Sequence, residues 1–206
     1  MRRTRAALVG VLIGSMAVLW PPALASAPRL DTQMSAYGFG VTQGGVTVIV
    51  DAGAGHVRVG EKYLPLRVFI AKEDRGSLDI DRASFTLTDP GGRTHPVATV
   101  EEVRTGYGPN LIASDYRYDH RQGDYGYVRM KFSACRFVSP PVFFANPDGA
   151  PSVLFERGYV SLNTFTGTFL YFANPAGKDA GVYTLTFTDV GRKVEISVPF
   201  TVNWIR

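Results

Sequence analysis

Apolar and polar residues alternate with a period of two through several stretches of this chain, the pattern of strands with one buried face. The clearest run is near the C-terminal end. There Val194, Ile196, Val198, Phe200 and Val202 share one side, and Lys193, Glu195, Ser197, Thr201 and Asn203 share the other. Tyr183, Leu185 and Phe187 alternate with three threonines, and Val128, Met130 and Phe132 with Arg129, Lys131 and Ser133. Leu64, Leu66, Val68 and Ile70 alternate with Pro65, Arg67 and Phe69, and Phe85 and Leu87 repeat the pattern briefly. Each set predicts a strand with its apolar side inward and its polar side toward water. Pro199 falls on the polar side of the last strand. Because proline cannot donate to a ladder, that strand is expected at a sheet edge or bulged.

Turn residues separate these runs: Asp89-Pro90-Gly91-Gly92, Asn146-Pro147-Asp148-Gly149, Asn174-Pro175 and Val190-Gly191-Arg192. After the first 25 residues no long stripe with a 3.6-residue period stands out. Many short strands without a βαβ rhythm predict an all-β protein, an antiparallel β-sandwich, since a two-faced sheet must bury its apolar side against another sheet. Phe143-Phe144-Ala145-Asn146-Pro147 is echoed by Tyr171-Phe172-Ala173-Asn174-Pro175. The flanks diverge at once, so the echo predicts two related strand ends rather than a repeat.

One segment breaks the pattern. From Thr105 to Gly126 the chain carries Tyr107, Tyr116, Tyr118 and Tyr125 among Asp115, Arg117, Asp119, His120, Arg121 and Asp124. It is expected to form one long tyrosine-rich loop, and long loops in compact domains are commonly functional. A short helix over 110–121, capped by Asn110 before Leu111 and Ile112, is the alternative.

Composition changes the picture at the N-terminus. Met1-Arg2-Arg3-Thr4-Arg5 precedes an uncharged apolar stretch from Ala6 to Trp20, then Pro21-Pro22 and the small-x-small triplet Ala23-Leu24-Ala25. That order is a secretory signal peptide with cleavage expected after Ala25, and its apolar run is short of the ~20 residues that span a bilayer. The chain then divides into a leader (1–25), an N-terminal extension (26–44) and a β-sandwich domain (45–206). The formal charge is +4, from 22 Lys+Arg against 18 Asp+Glu. Taking away Arg2, Arg3 and Arg5 leaves 19 against 18, which withdraws the case for nucleic-acid binding through phosphates. The mature chain is expected to have no membrane span and to work in a periplasm or outside the cell.

The residues Lys62-Tyr63-Leu64-Pro65-Leu66-Arg67-Val68-Phe69-Ile70-Ala71-Lys72, then Ser77-Leu78-Asp79-Ile80, then Ser84-Phe85-Thr86-Leu87-Thr88-Asp89-Pro90-Gly91-Gly92, carry a resemblance. A long strand, a variable turn and a Phe-x-Leu-x-Asp-x-x-Gly hairpin in this order are similar to secreted bacterial immunoglobulin-like domains typified by a mycobacterial immunoprotective antigen. The likeness covers residues 60–97. It implies a β-sandwich and an extracellular address, and it brings no catalytic residue.

Chemistry leaves few signals. No Gly-x-Ser-x-Gly elbow and no His-Glu-x-x-His zinc pattern occurs after the leader. Cys135 has no His or Met close behind it, so a blue-copper set is not formed, and it is expected as a small buried hydrophobe. His56, His95 and His120 are far apart, and Asp115, Asp119 and Asp124 lack the spacing of a calcium loop. Glu101-Glu102 would face opposite ways on a strand, so they form no glycosidase pair. No metal or other cofactor is expected.

The expected function is therefore a non-catalytic interaction module for an envelope or extracellular protein or glycan. Its recognition surface is placed on the 105–127 loop, with Tyr107, Tyr116, Tyr118 and Tyr125 as anchors and Arg117, Asp119, His120 and Arg121 giving polar selectivity. The opposite reading packs those rings on the open face of a sheet. Two further alternatives stand: a metal-dependent or hydrolytic enzyme assembled around His120 with Asp115 or Asp124, and a structural subunit of an envelope assembly docking through the edge near Pro199 or Trp204.

Overall fold

The structure is a computed structural model and describes residues 32–58, 60–122, 125–138, 143–148, 157–173, 181–189, 191 and 194–202. The leader, the Asn174-Pro175 turn, Asp124 and Trp204 lie outside the described residues, as do the side chains of Asp119, His120 and Arg121.

Strands outweigh helices. β1 (Gly38–Gln43) and β2 (Val46–Asp51) form a hairpin through Gly44-Gly45, both at positive φ, as a two-residue turn of this hand requires. Next come β3 (Tyr63–Lys72), β4 (Ser77–Asp81), β5 (Phe85–Thr88) and β6 (Thr94–Pro96). The later strands are β7 (Arg136–Phe137), β8 (Arg157–Ser161), β9 (Thr164–Ala173), β10 (Val182–Asp189) and β11 (Val194–Thr201). Helices are α1 (Gly53–His56), α2 (Val100–Gly106), α3 (Pro109–Gln122) and α4 (Gly126–Lys131). The strands make a sheet in the order β1-β2-β3-β9-β7, a second in the order β11-β10-β5-β6, and a β4-β8 pair. Every pairing is antiparallel except β7 with β9.

The alternation sets the core between the two larger sheets. Leu64, Leu66 and Val68 of β3 lie opposite Phe172, Leu170 and Thr168 of β9. Their apolar side joins Phe85, Leu87, Tyr183, Leu185, Phe187, Ile196, Val198 and Phe200 of the second sheet in one buried cluster. β11 is an edge strand, as Pro199 predicts, and the Pro199 carbonyl accepts a hydrogen bond from Thr32 Oγ1 (2.8 Å).

The other side of β3 and β9 departs from expectation. Pro65, Arg67, Phe69 and Ala71 face the same way as Tyr171, Phe169, Gly167 and Phe165, and this side is roofed rather than wet. The roof is the segment from α2 to α4. Tyr107 meets Tyr171 (ring centroids 5.5 Å apart), Tyr116 meets Phe169 (4.7 Å), Tyr125 meets Phe69 (5.1 Å) and Phe132 meets Phe165 (5.0 Å). Gly167 belongs to this packing: a Cβ there would fall 2.5 Å from Phe69 Cδ1.

Three expectations are corrected by this roof. The tyrosine-rich stretch is helical over Pro109–Gln122, close to the alternative helix over 110–121, and not one long loop. Val128 and Phe132 are buried on one face of α4 while Met130 is exposed, because residues four apart meet on a helix and the residue between them turns away. Glu101 and Glu102 stand in the first turn of α2, where Thr99 and Glu102 form a capping box: Glu102 N–H donates to Thr99 Oγ1 (3.2 Å) and Thr99 N–H donates to the Glu102 carboxylate (2.7 Å).

The domain boundary also moves. β1 is part of the five-stranded sheet, so position 45 falls inside a hairpin and residues 32–44 belong to the folded unit. Of the two echoed segments, Tyr171–Ala173 ends β9, whereas Phe143-Phe144 is a buried bend whose Phe144 ring packs on Tyr171 (4.8 Å).

Candidate functional site

α3 carries most of the residues expected to bind a partner, and its inward face holds a sealed polar cluster. Asp115 has no solvent exposure. Its Oδ1 accepts from Arg58 Nη2 (2.7 Å) and Nε (2.8 Å), and its Oδ2 accepts from the Tyr107 hydroxyl (2.9 Å). The Tyr171 hydroxyl, also buried, adjoins the same carboxylate. Burial raises the Asp115 pKa further than Arg58 and Tyr107 lower it, leaving it at about 6. Burial and the neighbouring carboxylate push Tyr107 and Tyr171 upward. For Arg58 burial is the largest influence and acts downward, but the charges and hydrogen bonds of Asp115 and Tyr107 together outweigh it and the net shift is upward. A group desolvated this fully is held by its partners and has no route to a substrate.

The remaining anchors are occupied within the protein. Tyr116, besides packing on Phe169, donates its hydroxyl to the Phe144 carbonyl (2.6 Å). Arg117 is exposed and pairs with Asp148 across 3.3 Å. Tyr118 is half-buried against Gly53, and Tyr125 lies edge-on to Phe69. The rings of Tyr107, Tyr116 and Tyr125 thus pack on the sheet and Tyr118 lies against α1, with Tyr107 buried and the other three partly buried. Tyr127, absent from the expected set, donates to Asp51 Oδ2 (2.5 Å). Burial raises the Asp51 pKa against the pull of that bond and of the Gly53 N–H.

What α3 offers outward is a crevice. Val100 and Arg104 of α2, Pro109 and Ile112 of α3, and Phe144, Ala145 and Pro147 enclose about 270 Å³. Two of the expected residues fasten its far wall, Tyr116 through the Phe144 carbonyl and Arg117 through Asp148. The lining is apolar apart from Arg104, which is exposed and has no ion-pair partner among the described residues. The Leu111-Ile112 pair was the only sequence signal for this wall. Its second wall, Phe144 to Pro147, comes from far along the chain. A wider depression of about 470 Å³ lies between Arg82, Phe85, Val97, Thr99 and Arg157. The Asp81 carboxylate at its edge already caps the turn before β5 by accepting from Ser84 N (2.8 Å).

The other candidates stay apart. His56 is buried in α1 beside the Tyr37 ring (4.9 Å), and burial lowers its pKa. His95 Nε2 lies 3.1 Å from Asp89 Oδ2. Burial acts upward on Asp89, but the Arg93 N–H, His95 and the Arg93 guanidinium outweigh it and hold the pKa at about 2. Cys135 is half-buried, and burial raises its thiol. Among the described residues no three His, Cys, Asp or Glu side chains are grouped to hold a metal. Asp115 and His120 are five positions apart on α3, about 140° around a helix of 3.6 residues per turn, so the sealed face of Asp115 does not carry position 120. Among the described residues no helix is long and apolar enough to cross a membrane.

No family model matches this chain, and no curated protein matches it. Among solved structures, the yjhA protein from Bacillus subtilis is similar at 12% identity and a TM-score of 0.38, covering 77% of this chain and 93% of that one. A likeness this loose carries no argument.

Proposed function

We propose that this chain is an exported, non-catalytic interaction module with an immunoglobulin-like β-sandwich as its scaffold. The leader-like N-terminus and the likeness of residues 60–97 to secreted immunoglobulin-like domains support the address. The recognition surface is the outside of the helical layer, and the occupant of its crevice is an apolar side chain of a protein partner, followed by an acidic group that meets Arg104. One observation carries this reading: an apolar recess of about 270 Å³ opens beside Arg104, an exposed cation with no ion-pair partner among the described residues. A site of this composition suits a peptide side chain better than a glycan, whose hydroxyls need polar partners on every side.

The test uses the mature chain on a solid support, exposed to envelope and culture-fluid extracts. Ala145→Trp fills the crevice, and Glu195→Lys on the exposed side of β11 is the control. The reading expects one protein retained by the parent and the control but lost with Ala145→Trp, at an unchanged thermal midpoint. Equal retention by all three proteins refutes it. Export is checked by fractionating cells that express the full chain; an unprocessed product in the cytosol refutes that part.

A further inference from the structure

The outer face of the β4-β8 pair adjoins the wider depression. Leu78, Ile80 and Val160 are buried in the core, so alternation turns Asp79, Asp81, Arg157 and Tyr159 to the opposite side. The register sets Asp81 opposite Arg157 and Asp79 opposite Tyr159, which gathers all four on one surface. Tyr159 is 66% exposed, the one exposed tyrosine among the described residues, and its ring and hydroxyl meet no described partner. Two residues away on the same face, about 7 Å along the strand, stands Arg157. Arg157 and Asp81 line the depression of about 470 Å³ together with Thr86 of β5 and Pro96 of β6.

The polar groups here have bonding capacity to spare. Asp81 accepts from the Ser84 N–H and hydroxyl through Oδ1, and its Oδ2 has no partner among the described residues. Arg157 makes no ion pair and Thr86 no side-chain hydrogen bond among the described residues. Neither charge sign dominates: Arg82 and Arg157 stand against Asp79 and Asp81, and Glu102 is bonded to Thr99 at the rim. An anion would meet those carboxylates, and a wholly apolar group would strand the polar ones. A sugar ring satisfies both demands. Its hydroxyls donate to a carboxylate and accept from a guanidinium, and its C–H face covers an aromatic ring. The volume lies in the range of small-ligand sites.

We propose that this face binds a neutral oligosaccharide. One sugar ring stacks on Tyr159, and the next lies in the depression, where Asp81 Oδ2, the Arg157 guanidinium and the Thr86 hydroxyl take its hydroxyls. The site is separate from the crevice between α2 and α3 and needs no occupant there.

Saturation-transfer NMR tests it with hexasaccharides of glucose, mannose, galactose, arabinose and N-acetylglucosamine, and with hexagalacturonate as the acidic counterpart. The mature chain is expected to bind at least one neutral sugar and to bind hexagalacturonate more weakly. Tyr159→Ala should weaken the neutral binding about ten-fold, while Tyr159→Phe, which keeps the ring, should stay within about two-fold of the parent. Arg157→Met should weaken it about ten-fold or more, since hydrogen bonds from a charged group are lost. Near-ultraviolet circular dichroism checks that each variant keeps its fold, and Ala145→Trp should bind the sugar as the parent does. Absent binding of every neutral sugar overturns the proposal, and so does a preference for the acidic one. Binding indifferent to Tyr159→Ala or to Arg157→Met, or lost with Ala145→Trp, overturns it too, since the sugar would then sit elsewhere.

Discussion

Replacing Asp115 by Asn separates the charge of this carboxyl from its shape. Asparagine fills the same space and keeps an oxygen for Arg58, so the static cost is that of one altered buried hydrogen bond, about 1 kcal/mol. The informative quantity is how the stability gap between the parent and Asp115→Asn changes with pH. Asp115 moves from 3.8 to about 6 in the fold because burial outweighs the attraction of Arg58. A carboxyl whose pKa rises on folding binds protons more tightly in the folded state, so its contribution is complete below pH 3.8 and is lost as pH climbs through about 6. At 1.36 kcal/mol per pKa unit the loss amounts to about 3 kcal/mol. Urea melts of both proteins from pH 3.5 to 7.5 measure the gap directly, and groups common to both, such as Asp51 and the histidines, cancel. The parent should lose about 3 kcal/mol relative to the variant over that range, equivalent to a relative fall in thermal midpoint of about 6–12 °C for a domain of this size. A gap that stays constant within about 0.5 kcal/mol would refute the reasoning. A gap that widens in the parent's favour as pH rises would show that the Arg58 pair outweighs desolvation.

Other residues make separate demands. Tyr116→Phe removes the bond to the Phe144 carbonyl and should cost about 1 kcal/mol in urea, while Tyr116→Ala also strips the ring from Phe169 and should cost about 2–3 kcal/mol. Arg117→Ala breaks an exposed pair and should change stability by less than about 0.5 kcal/mol by the same measurement. Gly167→Ala places a methyl against Phe69 and should cost about 1–3 kcal/mol, a value that Phe69→Leu in the same chain should reduce. Asp89 contributes stability above pH 3.8 that is lost as pH falls through about 2, so Asp89→Asn should flatten the acid limb of the unfolding curve between those values.

The sequence was most informative where one face of a strand is wet. β10 and β11 bury the residues that their alternation assigns, and Pro199 marks an edge, because a two-residue period is a local property of the backbone. It was ambiguous where both faces are buried. In β3 the alternation of Leu64 to Ile70 is real, but Pro65, Arg67 and Phe69 point at a second layer that no local rule announces. Residues 128–132 satisfy the strand period and the helix spacing at once, and only the exposure of Met130 separates the two. One local signal goes unused in the strand reading of Glu101 and Glu102: Thr99-x-x-Glu102 starts helix α2 with a capping box.

The chain by itself therefore determined the alternation of β10 and β11, the edge at Pro199 and the turn at residues 89–92, since each depends on neighbours a few residues away. Tertiary structure decided the rest. Arg58 meets Asp115 from a position 57 residues away, and Phe144 closes the crevice against α3 from a position 28 residues beyond Tyr116. The tyrosines looked like a binding surface because an amphipathic ring serves an interface and an interior equally well. The sheet face waiting beneath them made them part of the core, since burying apolar area is favourable whichever surface supplies the cover.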